Sequence, residues 1–288
     1  MNTLIKPTAD IFVLYLLGSE KNKDLLLSFI NAVLIDSAFP PVKEVTLKNP
    51  FNLKTFRVDK ETILDVKALD ENNNQYDIEI QASYDASFPA RSLFYWAKFY
   101  TSQLNEGMDY FDLKPTICIN LLDFNLLEDD NQIHSCFMLQ EKNNPEMVLS
   151  DHIILHFIEI KKFKTKIKEM SPELYDWIYY FKYEGEDEKM KLVIDKNKMI
   201  QKADQEYKKF NEDDHLREIA ESRLKYRLDT QTFIKSAELR GKKEEKIETA
   251  LKMLQKKYDV HAIVELTGLP INEIERLAIK LNQKSNES

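Results

Sequence analysis

The front of the chain alternates short apolar runs with turn signals, and this pattern predicts helices followed by strands. Apolar residues at helical spacing predict two helices, over residues 10–17 and 24–34. Residues 42–47 have the composition of a strand. Alternating apolar and polar positions around a turn at 70–74 predict a β-hairpin over residues 61–81. Helices and paired strands are therefore expected in the same core.

One long helix and three strands follow the hairpin. The helix is predicted over residues 87–106, and its apolar stripe is Leu93, Phe94, Ala97 and Leu104. The strands are predicted over residues 115–122, 133–139 and 152–160. This order of elements predicts an α/β protein with a central mixed β-sheet flanked by helices.

The remainder of the chain shows only helical signals. Ser171 is a suitable N-cap with proline after it. Residues 212–257 are highly charged and predict long exposed helices that pair with another copy, giving a homo-oligomer. Two short helices around Gly268 predict a helix-turn-helix-like segment, for which protein contact is favoured over DNA contact. The predicted domains are a core at 1–165, a helical extension at 166–245 and this segment at 246–288.

Composition and charge restrict the class of protein. The 288 residues are 43% hydrophobic, which suits one large domain with an appendage. Residues 1–160 hold 13 basic and 24 acidic residues, so they do not offer the basic face typical of phosphate-backbone binding. A lysine run at 161–168 fits either a solvated linker or a phosphate contact.

Membrane and secretory signals are not expected in this sequence. No run of ~20 apolar residues is present, and the first residues lack the layout of a signal peptide. Cys118 and Cys136 lie in apolar runs, which is typical of reduced core cysteines. The expected localisation is therefore cytoplasmic, without a membrane partner.

The candidate chemistry lies on the hairpin. Strand alternation places Asp65 and Lys67 on one parity of the first strand, and Asp77, Glu79 and Gln81 on one parity of the second. Two carboxylates ~4 Å apart repel by roughly 4 kcal/mol at an effective dielectric near 20, so a cation between them is expected. Mg²⁺ takes such oxygen ligands. An ordinary solvated hairpin face is the alternative, and the pattern alone favours it.

Motifs on either side of the hairpin favour the metal site over an ordinary solvated face. They comprise Pro7-Thr8-Ala9-Asp10, Leu64-Asp65-Val66, Ile78-Glu79-Ile80-Gln81, Arg91 with Tyr95 one turn later, and Lys114-Pro115. Together with residues 250–274, they resemble the Rpn family of recombination-promoting nucleases, also described as transposases, within the PD-(D/E)XK nuclease superfamily. The resemblance covers the front half and the C-terminal end, and it is weak over residues 165–245.

The resemblance implies a restriction-endonuclease-like core and DNA cleavage that depends on Mg²⁺ or Mn²⁺. Asp65 and Glu79 match the metal-binding acids, and Gln81 matches the position of the superfamily lysine. Glutamine orients water but supplies no charge, so modest activity is expected. Lys67 lies on the same strand face and is a candidate to replace that lysine.

The roles of the neighbouring residues stay open at this point. Asp10 either supports the metal site or caps its helix, and Arg91 and Tyr95 either contact phosphate and buttress Glu79 or form ordinary packing contacts. The family commonly has Phe-Lys where this chain has Val13-Leu14.

Two other functions therefore remain alternatives. The chain could be a catalytically weakened relative that acts as a DNA-binding or protein-binding regulator. It could also be an assembly protein built on the charged helices at 212–257.

Overall fold

The computed structural model describes residues 4–51, 65–128, 131–164 and 170–286, with side chains as far as residue 281. The chain divides into two compact units, residues 1–222 and 223–288. The predicted domain boundaries after residues 165 and 245 stay predictions.

Within the described residues, six strands form one mixed sheet. They are β1 (Val45–Leu47), β2 (Asp65–Asp70), β3 (Gln75–Gln81), β4 (Thr116–Leu122), β5 (His134–Glu141) and β6 (Asn144–Glu159). The order across the sheet is β1-β2-β3-β4-β6-β5. The pairs β3–β4 and β4–β6 are parallel, and the other pairs are antiparallel. The predicted central mixed sheet is confirmed.

The described residues also form nine helices. They are α1 (Asp10–Gly18), α2 (Lys23–Asp36), α3 (Phe88–Thr101), α4 (Pro172–Tyr183), α5 (Asp187–Ile194), α6 (Lys198–Glu212), α7 (Asp214–Gln255), α8 (Val260–Thr267) and α9 (Ile271–Asn286). Helices α1, α2, α4 and α6 share the main core with one face of the sheet, represented by Val66 and Ile78. Helix α3 packs through Phe88 on the opposite face, against Cys118 and Phe157. Strand alternation separates the two faces because neighbouring side chains point to opposite sides.

The hairpin between β2 and β3 is fixed by its turn. The Oδ1 atom of Asp70 accepts the backbone N–H groups of Asn72 at 2.8 Å and Asn74 at 2.9 Å. Asn73 adopts a left-handed conformation with φ 62°, which asparagine tolerates better than most residues. The turn was predicted at this position, and it sets the register of the two strands. Residues 61–64 of the predicted hairpin lie outside the described residues.

Helix α3 is shorter than predicted, and the predicted apolar stripe is wrong. The helix ends at Thr101, five residues before the expected end at Glu106. Leu93 and Phe94 of the predicted stripe are 47% and 64% exposed. Phe88, Ser92 and Phe99 are the buried residues instead. The large apolar residues of this helix are distributed around its whole circumference, so hydrophobicity alone did not identify the buried face.

The charge pattern also gave a wrong prediction for one lysine, which is buried and not exposed. Lys162 belongs to the lysine run, yet its ammonium lies 2.7 Å from the Glu159 carboxylate and both side chains are almost fully buried. Lys162 also donates to the Leu127 carbonyl at 2.9 Å. It is therefore neither a solvated linker residue nor a phosphate contact. Residues 165–169 of that region lie outside the described residues.

Strand β6 is longer than predicted. It begins at Asn144, eight residues before the expected start, and the short connection at 142–143 joins it to β5. Its first half is mostly exposed and begins with Asn144 and Pro145, which predicted a loop at that position.

The second unit contains most of α7 together with α8 and α9. Ala250, Ile263, Leu269 and Ile274 form its small buried core. Gly268 ends α8 with φ 64°, a left-handed conformation that favours glycine at a helix C-terminus. Helix α8 has the predicted bounds, and α9 begins one residue before the predicted start and extends five residues beyond the predicted end.

Candidate active site

Strands β2 and β3 bring the predicted acids together on one face of the sheet. Asp65 pairs directly with Glu79 in the antiparallel register, and Lys67 pairs with Asp77. Directly paired residues have their side chains on the same face, with Cβ atoms about 4.5–5.5 Å apart. Gln81 follows Glu79 by two residues, so it shares the face. The side chains of Asp65 and Glu79 are 20% and 12% exposed, so solvent reaches both.

Each of the two acids is paired with a neighbouring donor. The Lys67 ammonium lies 2.8 Å from Asp65 Oδ2. The Gln81 amide donates to Glu79 Oε1. Arg91 on α3 approaches the same Glu79 oxygen at 3.9 Å. Positive charge and amide donors therefore offset part of the repulsion between the two carboxylates.

Arg91 is held in place by a third carboxylate. Its Nη1 atom lies 2.9 Å from Asp85 Oδ2, and its guanidinium stacks over Phe88 at 4.9 Å. Asp85 Oδ1 also accepts the Ser87 backbone N–H at 2.8 Å, which orders the start of α3. The buried Nε atom of Arg91 has no hydrogen-bond partner among the described residues. The Arg91 side chain as a whole is 31% exposed, so its guanidinium group remains accessible to an additional anion.

Asp77 is the most perturbed carboxyl group of this face. Its burial, and then the charges of Asp65 and Glu79, raise the pKa of Asp77 to about 7, while Lys67 opposes the shift. Burial also raises the pKa of Glu79; Arg91 and Gln81 act against it, and Asp65 reinforces it. Strong shifts with a clear physical cause are typical of functional sites, although structural networks also produce them.

For Lys67 the surroundings favour the charged form. Burial alone would lower the pKa of Lys67, but its hydrogen bond to Asp65 and the charges of Asp65 and Asp77 raise it. A lysine with a raised pKa stays protonated at neutral pH, so it acts as a cation and not as a general base. Its Nζ atom lies 5.1 Å from the centre of the Phe99 ring on α3.

Asp10 lies at the start of α1, and its own Oδ1 accepts the Ile11 backbone N–H at 2.8 Å. Two residues earlier, the Thr8 hydroxyl lies 3.5 Å from Asp123, whose backbone N–H donates to the Gln81 carbonyl at 2.9 Å. The start of the chain thus lies near the end of β3 that carries Gln81. A supporting role for Asp10 stays a prediction.

Tyr95 and Leu14 have packing contacts. The Tyr95 ring lies edge-on to the neighbouring Phe94 ring with 5.7 Å between centroids, and the role of Tyr95 stays a prediction. Leu14 is buried in the main core, where Leu14 and Val66 both lie against Gly18. Val66 points to the face opposite Asp65, because neighbouring strand residues alternate. Leu14, where the family commonly has lysine, therefore lies in the core and away from the candidate site.

Sequence reasoning gave no role to Asp77 or Asp85. The alternation already placed Asp77 on the site face, but the burial of this carboxylate cannot be recognised from sequence. The Asp85-Ala-Ser87 segment before the helix was an available signal, because aspartate commonly bonds a backbone N–H two residues later.

The acidic side chains of this face are possible ligands for a metal ion. Among the described residues, no group of three or more His, Cys, Asp or Glu side chains is arranged to hold one. Mg²⁺ needs only one or two carboxylates, because waters complete its coordination. Asp65 and Glu79 meet this requirement. The residues present therefore fit a hard divalent cation.

Comparison with known proteins adds an independent finding. A family model described as PD-(D/E)XK nuclease family transposase matches residues 7–237, which include the hairpin and α3. No curated protein and no solved structure matches the chain. With the mixed sheet and its flanking helices, the match confirms the predicted restriction-endonuclease-like α/β fold. In the described residues, no helix is long and apolar enough to cross a membrane.

Proposed function

The chain belongs to the PD-(D/E)XK nuclease family transposases, and on this premise we propose that it is a Mg²⁺-dependent DNA endonuclease of the Rpn type that promotes recombination. The observation that carries the proposal is the direct pairing of Asp65 with Glu79 on one solvent-accessible face. DNA is the proposed partner, and Mg²⁺ or Mn²⁺ the proposed cofactor.

Asp65 and Glu79 would hold the cation. A bound divalent ion lowers the pKa of a coordinated water and neutralises charge that develops on a phosphate. It would also offset the negative charge of the front half of the chain, which otherwise repels the DNA backbone. The two carboxylates lie within neighbouring strands, so the sheet keeps them in position without help from a loop.

Gln81 and Arg91 would act on the reactants. Gln81 already donates to Glu79, so its amide is positioned to orient a water beside that carboxylate. Arg91 is anchored by Asp85 and its side chain is 31% exposed, which suits a contact with a phosphate oxygen. We assign Asp10 and Tyr95 supporting roles at the edges of the site.

A plasmid cleavage assay tests this function. Supercoiled DNA is incubated with Mg²⁺ and with the wild type, Asp65→Ala or Glu79→Ala. We expect both substitutions to reduce nicking at least a hundredfold, because each removes a ligand. Glu71→Ala is the matched control, since Glu71 is an exposed acid in the turn of the same hairpin. Equal nicking by all four proteins would refute the assigned site.

A catalytically weakened regulator is the second candidate. It is favoured by the contacts of Lys67 with Asp65 and of Gln81 with Glu79, because internal donors occupy both proposed ligands. Calorimetry with Mn²⁺ separates the candidates. Binding that disappears in Asp65→Ala supports the nuclease, whereas DNA binding without any metal binding supports the regulator.

We also propose that α7 mediates self-association. Leu228, Phe233 and Ile234 are 51%, 68% and 60% exposed on this helix, which is unusual for large apolar residues. Sedimentation of the full chain tests it. We expect a dimer that dissociates when Leu228, Phe233 and Ile234 are all replaced by serine, whereas a monomeric wild type would refute the assignment.

A further inference from the structure

Lys67 lies between two carboxylates of the site face. Its ammonium is 2.8 Å from Asp65, and Asp77 lies directly opposite Lys67 in the register. Asp77 is only 9% exposed. Its Oδ1 atom has no hydrogen-bond partner among the described residues. A buried, unpaired carboxylate oxygen is costly, so its presence beside a lysine needs an explanation.

Metal binding at Asp65 creates a conflict for Lys67. A divalent cation on that carboxylate repels an ammonium at hydrogen-bond distance from it, since both carry positive charge. Lys67 must then leave Asp65. The Phe99 ring restricts where its ammonium can go, and the nearest paired carboxylate is Asp77.

We propose that Asp77 is the second acceptor for Lys67, and that the ammonium moves from Asp65 to Asp77 when a metal ion binds. This inference rests on the proposed function, because it requires an ion at Asp65. Asp77 is then a positioning residue that acts through Lys67. The exchange keeps a cation on the site face, where Gln81 supplies none, and it releases Asp65 for the metal ion.

A double-mutant cycle in Mn²⁺ affinity tests the exchange. The four proteins are the wild type, Asp77→Asn, Lys67→Met and the double variant, measured by calorimetry at one pH. Asp77→Asn is expected to weaken Mn²⁺ binding about tenfold in the wild-type background, because Lys67 loses its second acceptor. In the Lys67→Met background the same change is expected to weaken binding less than about threefold. Lys67→Met alone is expected to tighten binding, since it removes a competitor for Asp65.

The alternative is that Asp77 acts only as a distant negative charge. In that case Asp77→Asn would weaken Mn²⁺ binding equally in both backgrounds, and this result would overturn the proposal. Weaker binding in Lys67→Met would also overturn it. Lys48→Met is the matched control, because Lys48 contacts the same Phe99 ring at 5.3 Å and its removal should leave the effect of Asp77→Asn unchanged.

A second measurement requires no change at Asp77. The ε-ammonium resonance of Lys67 is observed by NMR during titration with Mg²⁺, and it is expected to shift in the wild type. An unchanged resonance at saturating Mg²⁺ would contradict the exchange. If Mn²⁺ binding persists in Asp65→Ala, the ion does not bind at the hairpin and the proposed function itself fails; loss of coupling alone overturns only the exchange.

Discussion

Neutralising Asp77 should make the metal-free protein more stable at pH 8 but not at pH 4. The folded protein raises the pKa of Asp77 from 3.8 to about 7, first through burial and then through Asp65 and Glu79. Between these two values the folded state binds a proton that the unfolded state has released. Stability therefore falls as pH rises through this window and stays low above it.

The shift gives the size of the effect. Each unit is worth about 1.4 kcal/mol, so a change of roughly three units corresponds to about 4 kcal/mol at most. Asp77 is only 9% exposed, so solvent screens this contribution little. Asp77→Asn cannot ionise and should escape the loss. We expect its advantage over the wild type to grow by about 2–4 kcal/mol between pH 4 and pH 8.

Urea unfolding in the presence of EDTA measures this difference. The comparison at pH 4 corrects for the buried amide, because Asp77 is then protonated in the folded wild type. Asp151→Asn, an exposed substitution on β6, serves as control and should show no pH-dependent gain. An advantage for Asp77→Asn that is equal at pH 4 and pH 8 would refute the idea that this carboxylate is held in an unfavourable site.

Three further predictions concern buried or anchoring groups. Lys162→Met should cost about 3–5 kcal/mol in urea unfolding because it leaves the Glu159 charge buried, and a loss below 1 kcal/mol would contradict this. Burial, and then the neighbouring His134 charge, lower the pKa of His156 to about 3, so its ring resonances should not titrate between pH 8 and pH 5; a midpoint above pH 5 would be contrary evidence. Asp85→Asn should weaken Mn²⁺ binding, because it releases Arg91 to pair with a metal ligand, and unchanged affinity would exclude this role.

The hairpin could be predicted because its physics is local. Strand side chains alternate with a period of two, so a turn at 70–74 determines which residues face each other. The pairing of Asp65 with Glu79 follows from that register. The partners of Arg91 could not be predicted in the same way, since Asp85 and Glu79 meet it only after α3 packs on the sheet.

The sequence did not predict which of these side chains are buried. The aromatic residues of α3 are spread around the helix, so the choice of Phe88 and Phe99 over Phe94 depends on the sheet beneath them. Lys162 has the composition of a solvated run, and only the approach of Glu159 makes its burial tolerable. The unpartnered oxygen of Asp77 likewise depends on β4, whose Cys118 lies beside it in the register.

The most direct test of the metal site is anomalous X-ray scattering from crystals soaked in Mn²⁺. We expect one peak within about 2.2 Å of a carboxylate oxygen of Asp65 and of Glu79, and its loss in Glu79→Ala. A well-occupied peak elsewhere, with none between these two side chains, would contradict the assignment of this face as the centre of phosphodiester cleavage.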